Sequence, residues 1–266
     1  MTGRIAHLSD LHFGRDRPEL VAPLIDVLNG ADLDLVVVSG DLTQRARRAQ
    51  FRSARAFLDQ LEPPVLAVPG NHDTPLDNLA VRLLKPWSRF RRYVSRDLEP
   101  VHQGEGYVVA GMNTADPHAW QRGRIREASL LKAGRRLDDA RKAGDFGVIA
   151  MHHPPEHGPD VEKRPMRGAE TGLRTLADRG ADIVLCGHLH TWRAAPLAAS
   201  AGLLLVQAGT GLSTRIRGEP NDFNVLTLGP PRAVIERYGA RAEDDRYSVL
   251  SRTIFEKREG RWSTCR

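Results

Sequence analysis

Apolar residues fall in short consecutive runs along most of the chain, at 5–9, 35–39, 65–68, 107–112, 148–151, 183–186 and 203–207. Most are apolar on successive positions, which predicts strands covered on both faces. Helical spacing lies between several of them. Residues 46–61 carry Phe51, Ala54, Phe57, Leu58 and Leu61 three and four apart, with arginines on the outer face. Residues 127–142 repeat the pattern with Leu130, Leu131 and Leu137, and 169–178 form a shorter helix. Strands alternating with helices predict an α/β fold. The C-terminal part differs: 223–228, 234–238 and 253–257 read as successive strands with no strong helix between them. Such a meander extends or backs a second sheet. Neither a repeat nor a linker interrupts the pattern, a length of 266 residues suits one large domain or two small ones, and about 221–266 read as a β-rich extension. The segments 116–126 and 154–167 read as surface loops.

Composition narrows the class. Hydrophobic residues make up 41% and charged residues 27%, as in an ordinary globular enzyme. No stretch approaches the roughly 18 apolar residues of a membrane span. The chain passes from Met1 into its first strand with no apolar leader, which predicts a cytoplasmic protein. Cys186 and Cys265 cannot build a disulfide framework, and Cys186 reads as a buried core residue. The net charge of +6 suits phosphorylated or acidic partners, but it is carried almost wholly by arginine, a bias that base composition also produces.

The chemistry lies at the carboxyl ends of the runs. Run 5–9 leads into Asp10-Leu11-His12, run 35–39 into Gly40-Asp41, and run 65–68 into Pro69-Gly70-Asn71-His72-Asp73. Run 148–151 leads into His152-His153-Pro154-Pro155, and run 183–186 into Gly187-His188-Leu189-His190. Sites in open α/β sheets form outside the carboxyl ends of strands, so five loops converge on one crevice. Each motif alone has an ordinary structural reading as a turn, a cap or a strand end. Together they hold six of the ten histidines. Imidazole and carboxylate with one amide suit a borderline divalent metal: manganese, iron, cobalt or zinc. Cysteine is missing from every motif, unlike a structural zinc site.

In that order and spacing the five motifs resemble the calcineurin-like metallophosphoesterase superfamily, and most closely its bacterial cyclic-nucleotide phosphodiesterase-like branch. The resemblance implies a four-layer αββα sandwich of two mixed sheets flanked by helices and, because its motifs span most of the chain, residues 1–266 as a single domain. It places Asp10, His12, Asp41 and His190 around one metal, with Asp41 bridging to a second completed by Asn71, His152 and His188. His152 is preferred to His153 because it directly follows the strand. Manganese or iron is favoured. His72 is implied to reach the scissile phosphate, and Asp73 to support His72 or its loop. The resemblance further implies in-line attack on phosphorus by a hydroxide that the two metals would supply, and a small phosphate ester, a diester above all, as substrate. Purple acid phosphatases carry a tyrosine where this chain has Gln44, and many members of the cyclic-nucleotide branch an acid, so neither iron–tyrosinate colour nor cyclic AMP specificity follows. Nucleic acid is not expected as a partner. Two further readings remain: a pyrophosphatase for a nucleotide-linked lipid of the UDP-diacylglucosamine type, and a catalytically silent scaffold. Residues 83–96 bear on the first, interleaving five basic side chains with Trp87, Phe90 and Tyr93. They read either as a grip for a headgroup or a peripheral membrane contact, or more simply as an amphipathic helix with aromatics inward and arginines solvated. Trp192 reads as a stacking platform or as a rim residue.

Overall fold

The computed structural model describes residues 2–76, 78–158, 161, 165–240 and 245–265. Two mixed sheets lie face to face. The first has seven strands: β1 (Gly3–Leu8), β2 (Leu35–Val38), β3 (Val65–Ala67), β10 (Asn221–Gly229), β11 (Arg232–Ala240), β12 (Tyr247–Arg258) and β13 (Arg261–Cys265), in the order β13-β12-β11-β10-β1-β2-β3. The second has six: β4 (Val101–Gly104), β5 (Tyr107–Met112), β6 (Phe146–Met151), β7 (Ala181–Cys186), β8 (Arg193–Pro196) and β9 (Leu204–Gln207), in the order β4-β5-β6-β7-β9-β8. The central strands β1-β2-β3 and β5-β6-β7-β9 run parallel, and the C-terminal meander joins the first sheet antiparallel beside β1.

The pleat explains the consecutive apolar runs. Successive side chains leave a strand on opposite faces. In β6, Val148 and Ala150 enter the core between the sheets, while Ile149 and Met151 enter the core beneath the helices. β2 divides the same way, Leu35 and Val37 against Val36 and Val38. Helices α1 (Val21–Asn29), α2 (Arg48–Leu58) and α4 (Ser88–Tyr93) cover the first sheet; α5 (Glu127–Ala143) and α6 (Ala169–Asp178) cover the second. The result is the expected αββα sandwich. Among the described residues no helix is long and apolar enough to cross a membrane.

Local details depart from the sequence reading. Helix α2 starts at Arg48, because Ala46 takes a left-handed φ of 51° and gives its N–H to Thr43 Oγ1. The inward face of α5 is Ser129, Ala133, Gly134, Leu137 and Ala140; Leu131 faces solvent and Leu130 is half-buried. Small residues let this helix lie close to its sheet, and that stripe outweighs the leucine spacing. Segment 83–96 is not one helix. It falls across α3 (Leu79–Leu84) and α4, which meet at Lys85-Pro86. Phe90 is buried and Tyr93 stacks on Phe51, as the amphipathic reading expects of α4. α3 does the opposite, burying Arg82 and exposing its leucines. Helix α1 and strands β4, β8 and β13 had no clear signal.

Candidate metal centre

The five motif loops meet at one end of the sandwich. The β1 and β2 loops continue their ladder beyond the strands: Asp10 N–H donates to Gly40 O, His12 N–H to Asp41 O, and Phe13 N–H to Leu42 O. These bonds set Asp10 and His12 beside Asp41. Across the sheets, His188 N–H donates to Asp10 Oδ2 at 2.8 Å, and within the second sheet Gly187 N–H donates to His152 O. The approach is tight enough to require glycine. A Cβ on Gly70 would stand 2.1 Å from Asp41 Oδ1, and one on Gly187 1.8 Å from Ser9 Oγ. Asp10, His12, Asp41, His188 and His190 all hold φ between 49 and 73°, a region most L-residues avoid.

The polar atoms form two overlapping groups. In the first, Asp10 Oδ1 lies 3.3 Å from His12 Nε2 and 3.1 Å from His190 Nε2, and the two imidazole nitrogens are 3.2 Å apart. In the second, His152 Nε2 is 3.1 Å from Asn71 Oδ1 and 3.3 Å from Asp41 Oδ2, and His188 Nδ1 is 3.1 Å from Asn71 Oδ1. Asp41 Oδ2 is also 3.7 Å from His12 Nε2, so it stands between the groups, while Oδ1 is held by His72 N–H. Asp10, His12, Asp41 and His152 are essentially sealed from solvent.

The tautomers show what these atoms want. His190 gives Nδ1–H to Arg215 O at 2.8 Å, and His152 gives Nδ1–H to Ser39 O at 2.8 Å. Each therefore leaves Nε2 facing carboxylate and amide oxygens, able to coordinate once it gives up any proton. Among the described residues Asp10 Oδ1, buried, has no hydrogen-bond partner. Nitrogen and oxygen donors that converge in this way fit divalent metal ions, whose binding displaces such protons. The potential is strongly negative: burial opposes charging His152, yet the charge and hydrogen bond of Asp41, with Asp10 behind, push it up to about 9. Burial acts to raise Asp10, but His190, His12 and His152 hold it well below the carboxylate range.

His72 stands beside this centre, its ring 4.9 Å from that of His12, with Nδ1–H directed at Gln44 O at 2.7 Å. Asp73 does not touch the His72 ring. It accepts from Leu42 N, Thr43 N, Thr43 Oγ1 and Gly70 N, and so fixes the Asp41 loop. Burial and the charge of Asp41 push its carboxyl up to about 7, against those donors. His153 is buried, with Nδ1 at Thr114 Oγ1 and its ring 4.6 Å from that of His188; with His152 and His188 it forms a further group able to hold a metal, and it lines a cleft of about 210 Å³ with His188, Pro154, Met166 and Gln121. Trp192 is a framework residue, its indole N–H bonded to Asn224 and its ring under Arg237.

Arg215 has no place in the five motifs, yet its Nη1 is 3.2 Å from His72 Nε2. It comes from the loop after β9, which is pinned to the Asp10 loop by Gly211 N–H to Ser9 O and Thr214 N–H to Arg15 O. The signal for it was available: run 203–207 is one more parallel strand, and the same carboxyl-end rule points to the loop that follows.

Fold and site together define a phosphoesterase of the two-metal kind. Residues 3–192 match the calcineurin-like phosphoesterase family, and the chain belongs to it. It is a metal-dependent phosphoesterase. The chain is 30% identical to the glycerophosphodiester phosphodiesterase GpdQ of Enterobacter lignolyticus over 210 residues, 70% of each chain. It is 26% identical to a probable cyclic nucleotide phosphodiesterase of Synechococcus sp. over 203 residues, 71% of this chain and 74% of that one. Among solved structures, the purple acid phosphatase PPD1 of yellow lupin shares the fold with a TM-score of 0.70 at 14% identity, over 96% of this chain but 53% of its own.

Proposed function

We propose that the protein hydrolyses small phosphodiesters at two divalent cations, one held by Asp10, His12, Asp41 and His190, the other by Asp41, Asn71, His152 and His188. The observation that carries this reading is Asp41: one carboxylate oxygen is fixed by backbone, and the other faces both donor groups. When bound, the cations supply Lewis acidity and a positive charge that draws in the anionic ester and activates water. The chain's own residues do the rest. Arg215 presents guanidinium donors to a non-bridging phosphoryl oxygen and fixes the phosphate against the centre. Gln44 O locks the His72 ring so that Nε2 faces the reacting group, where it hydrogen-bonds or protonates the departing oxygen. The cleft beside His153 and His188 receives one organic substituent of the ester. Two relatives named for diester substrates support a diester over a monoester. Manganese or iron suits this set of nitrogen and oxygen donors.

The test is hydrolysis of bis(p-nitrophenyl) phosphate by metal-stripped protein before and after manganese is added. Activity that appears with manganese and is lost in Asp41→Ala, together with both metals, supports the reading. Inactivity with two metals bound, or faster cleavage of p-nitrophenyl phosphate than of the diester, refutes it.

A further inference from the structure

Beside the site, the surface displays large apolar side chains. Leu79, Leu83 and Leu84 of α3 are 66%, 50% and 80% exposed, and Trp120, in the loop after β5, is 62% exposed. Leu79 and Leu83 lie one turn apart on one helix face, with Leu84 next to them. Arg82 joins the two segments. Its guanidinium, almost wholly buried, donates to Thr74 Oγ1, Pro117 O and Ala119 O, each at 2.7 Å, and lies 5.7 Å from the Trp120 ring centre. A charged side chain has been turned inward and leucines outward, the reverse of an ordinary amphipathic helix. Gln121 and Arg122, in the same loop as Trp120, line the cleft that also holds His188, so this face adjoins the metal centre.

Among the described residues of these two segments, the exposed charges are basic. Residues 79–96 contain six basic side chains and no acidic one. Residues 115–126 contain three arginines and a single acid, Asp116, which is buried and accepts from His118 N–H. The next acid after the first segment, Asp97, is paired with Lys132. Lys85, Arg91, Arg92 and Arg124, in the same two segments as the leucines and the tryptophan, are exposed. Exposed leucine and tryptophan interspersed with lysine and arginine match an anionic membrane interface, where apolar side chains enter the acyl boundary and cations lie at phosphate level.

We propose that α3, α4 and the 115–126 loop form a docking face for an anionic lipid bilayer, bringing the mouth of the metal centre to the membrane surface. The inference rests on this face alone and does not depend on which ester is cleaved.

Sedimentation with vesicles tests it, comparing phosphatidylcholine alone with a mixture containing about one-third phosphatidylglycerol. Wild-type protein is expected to partition onto the anionic vesicles only. Leu79→Ser/Leu83→Ser/Leu84→Ser and, separately, Lys85→Glu/Arg91→Glu should each lower that partitioning by about tenfold or more. Both variants alter solvent-facing positions, and unchanged circular dichroism and turnover of bis(p-nitrophenyl) phosphate confirm that they fold. Failure of the wild type to bind anionic vesicles overturns the proposal, as does undiminished binding by the leucine variant. A wild-type dimer that the leucine variant dissociates, without vesicle binding, overturns it in favour of a second copy of the chain.

Discussion

Arg215 acts on the site through two separable groups. Its carbonyl oxygen fixes the tautomer of His190, and its guanidinium stands beside His72. Truncating the side chain leaves the carbonyl in place. Arg215→Ala is therefore expected to retain both metals by elemental analysis while KM for the diester rises about 10- to 100-fold, the loss of one charge-assisted anchor. His72→Ala should also keep its metals, with kcat falling about 10²–10⁴-fold and furthest for poor leaving groups. Equal losses across a leaving-group series would argue that His72 is not the acid. The protonation of His152 gives a pH dependence. With its pKa raised to about 9 in the metal-free protein, this imidazole carries a proton at neutral pH that a metal must displace. Metal affinity is expected to climb with pH towards 9 and then level off. Calorimetry in buffers of different ionisation enthalpy should show proton release at pH 7.5, and its absence would contradict this account.

At the scale of elements, the site depends on strand ends that are held closer than side chains allow. Gly187 separates β7 from the two histidines it delivers, and a methyl group there meets Ser9 Oγ and Asp10 Oδ2. Gly187→Ala is expected to push the β1 and β7 loops apart, lowering thermal stability and weakening metal binding together. A shift of about 2–4 °C per kcal/mol applies to a chain of this size. Loss of stability with metal affinity intact would mean the loops can part without disturbing the donors. The helices were only partly legible. Helix α6 matched its sequence signal, because its apolar spacing and its burial coincide. The face of α5 was legible in part: Leu137 and Leu130 pack on the sheet, Leu131 faces solvent, and the rest of the inward face is the small residues Ala133, Gly134 and Ala140, which leucine spacing does not mark. Helix α3 inverts the rule altogether through Arg82.

For the whole molecule, the two sheets share one core from Ile5 and Val37 through Val148 and Ile183 to Phe255 and Trp262. The C-terminal strands contribute to the same packing as the strands that carry the metal-centre loops. We propose that residues 1–266 unfold as a single domain, and calorimetry should then show one transition whose van't Hoff and calorimetric enthalpies agree. The transition temperature should rise with manganese, because a ligand of the native state stabilises it by mass action. Two resolved transitions would divide the β-rich C-terminal strands from the rest.

The sequence alone determined the α/β class and the strand-end motifs, because both are written locally, while the αββα sandwich came from the family those motifs resemble. Apolar runs encode strands buried on two faces, and each run's carboxyl end carries its own motif. Tertiary structure decided what depends on distance between chain segments. It set His152 against Asp41 and Asn71, and Asp73 under the Asp41 loop. It brought Arg215 to His72 across 143 positions of sequence, and placed three leucines of α3 in solvent. Strand ends point to the loops concerned, but which side chain meets which is fixed by hydrogen-bond partners and packing distances that only the folded chain supplies.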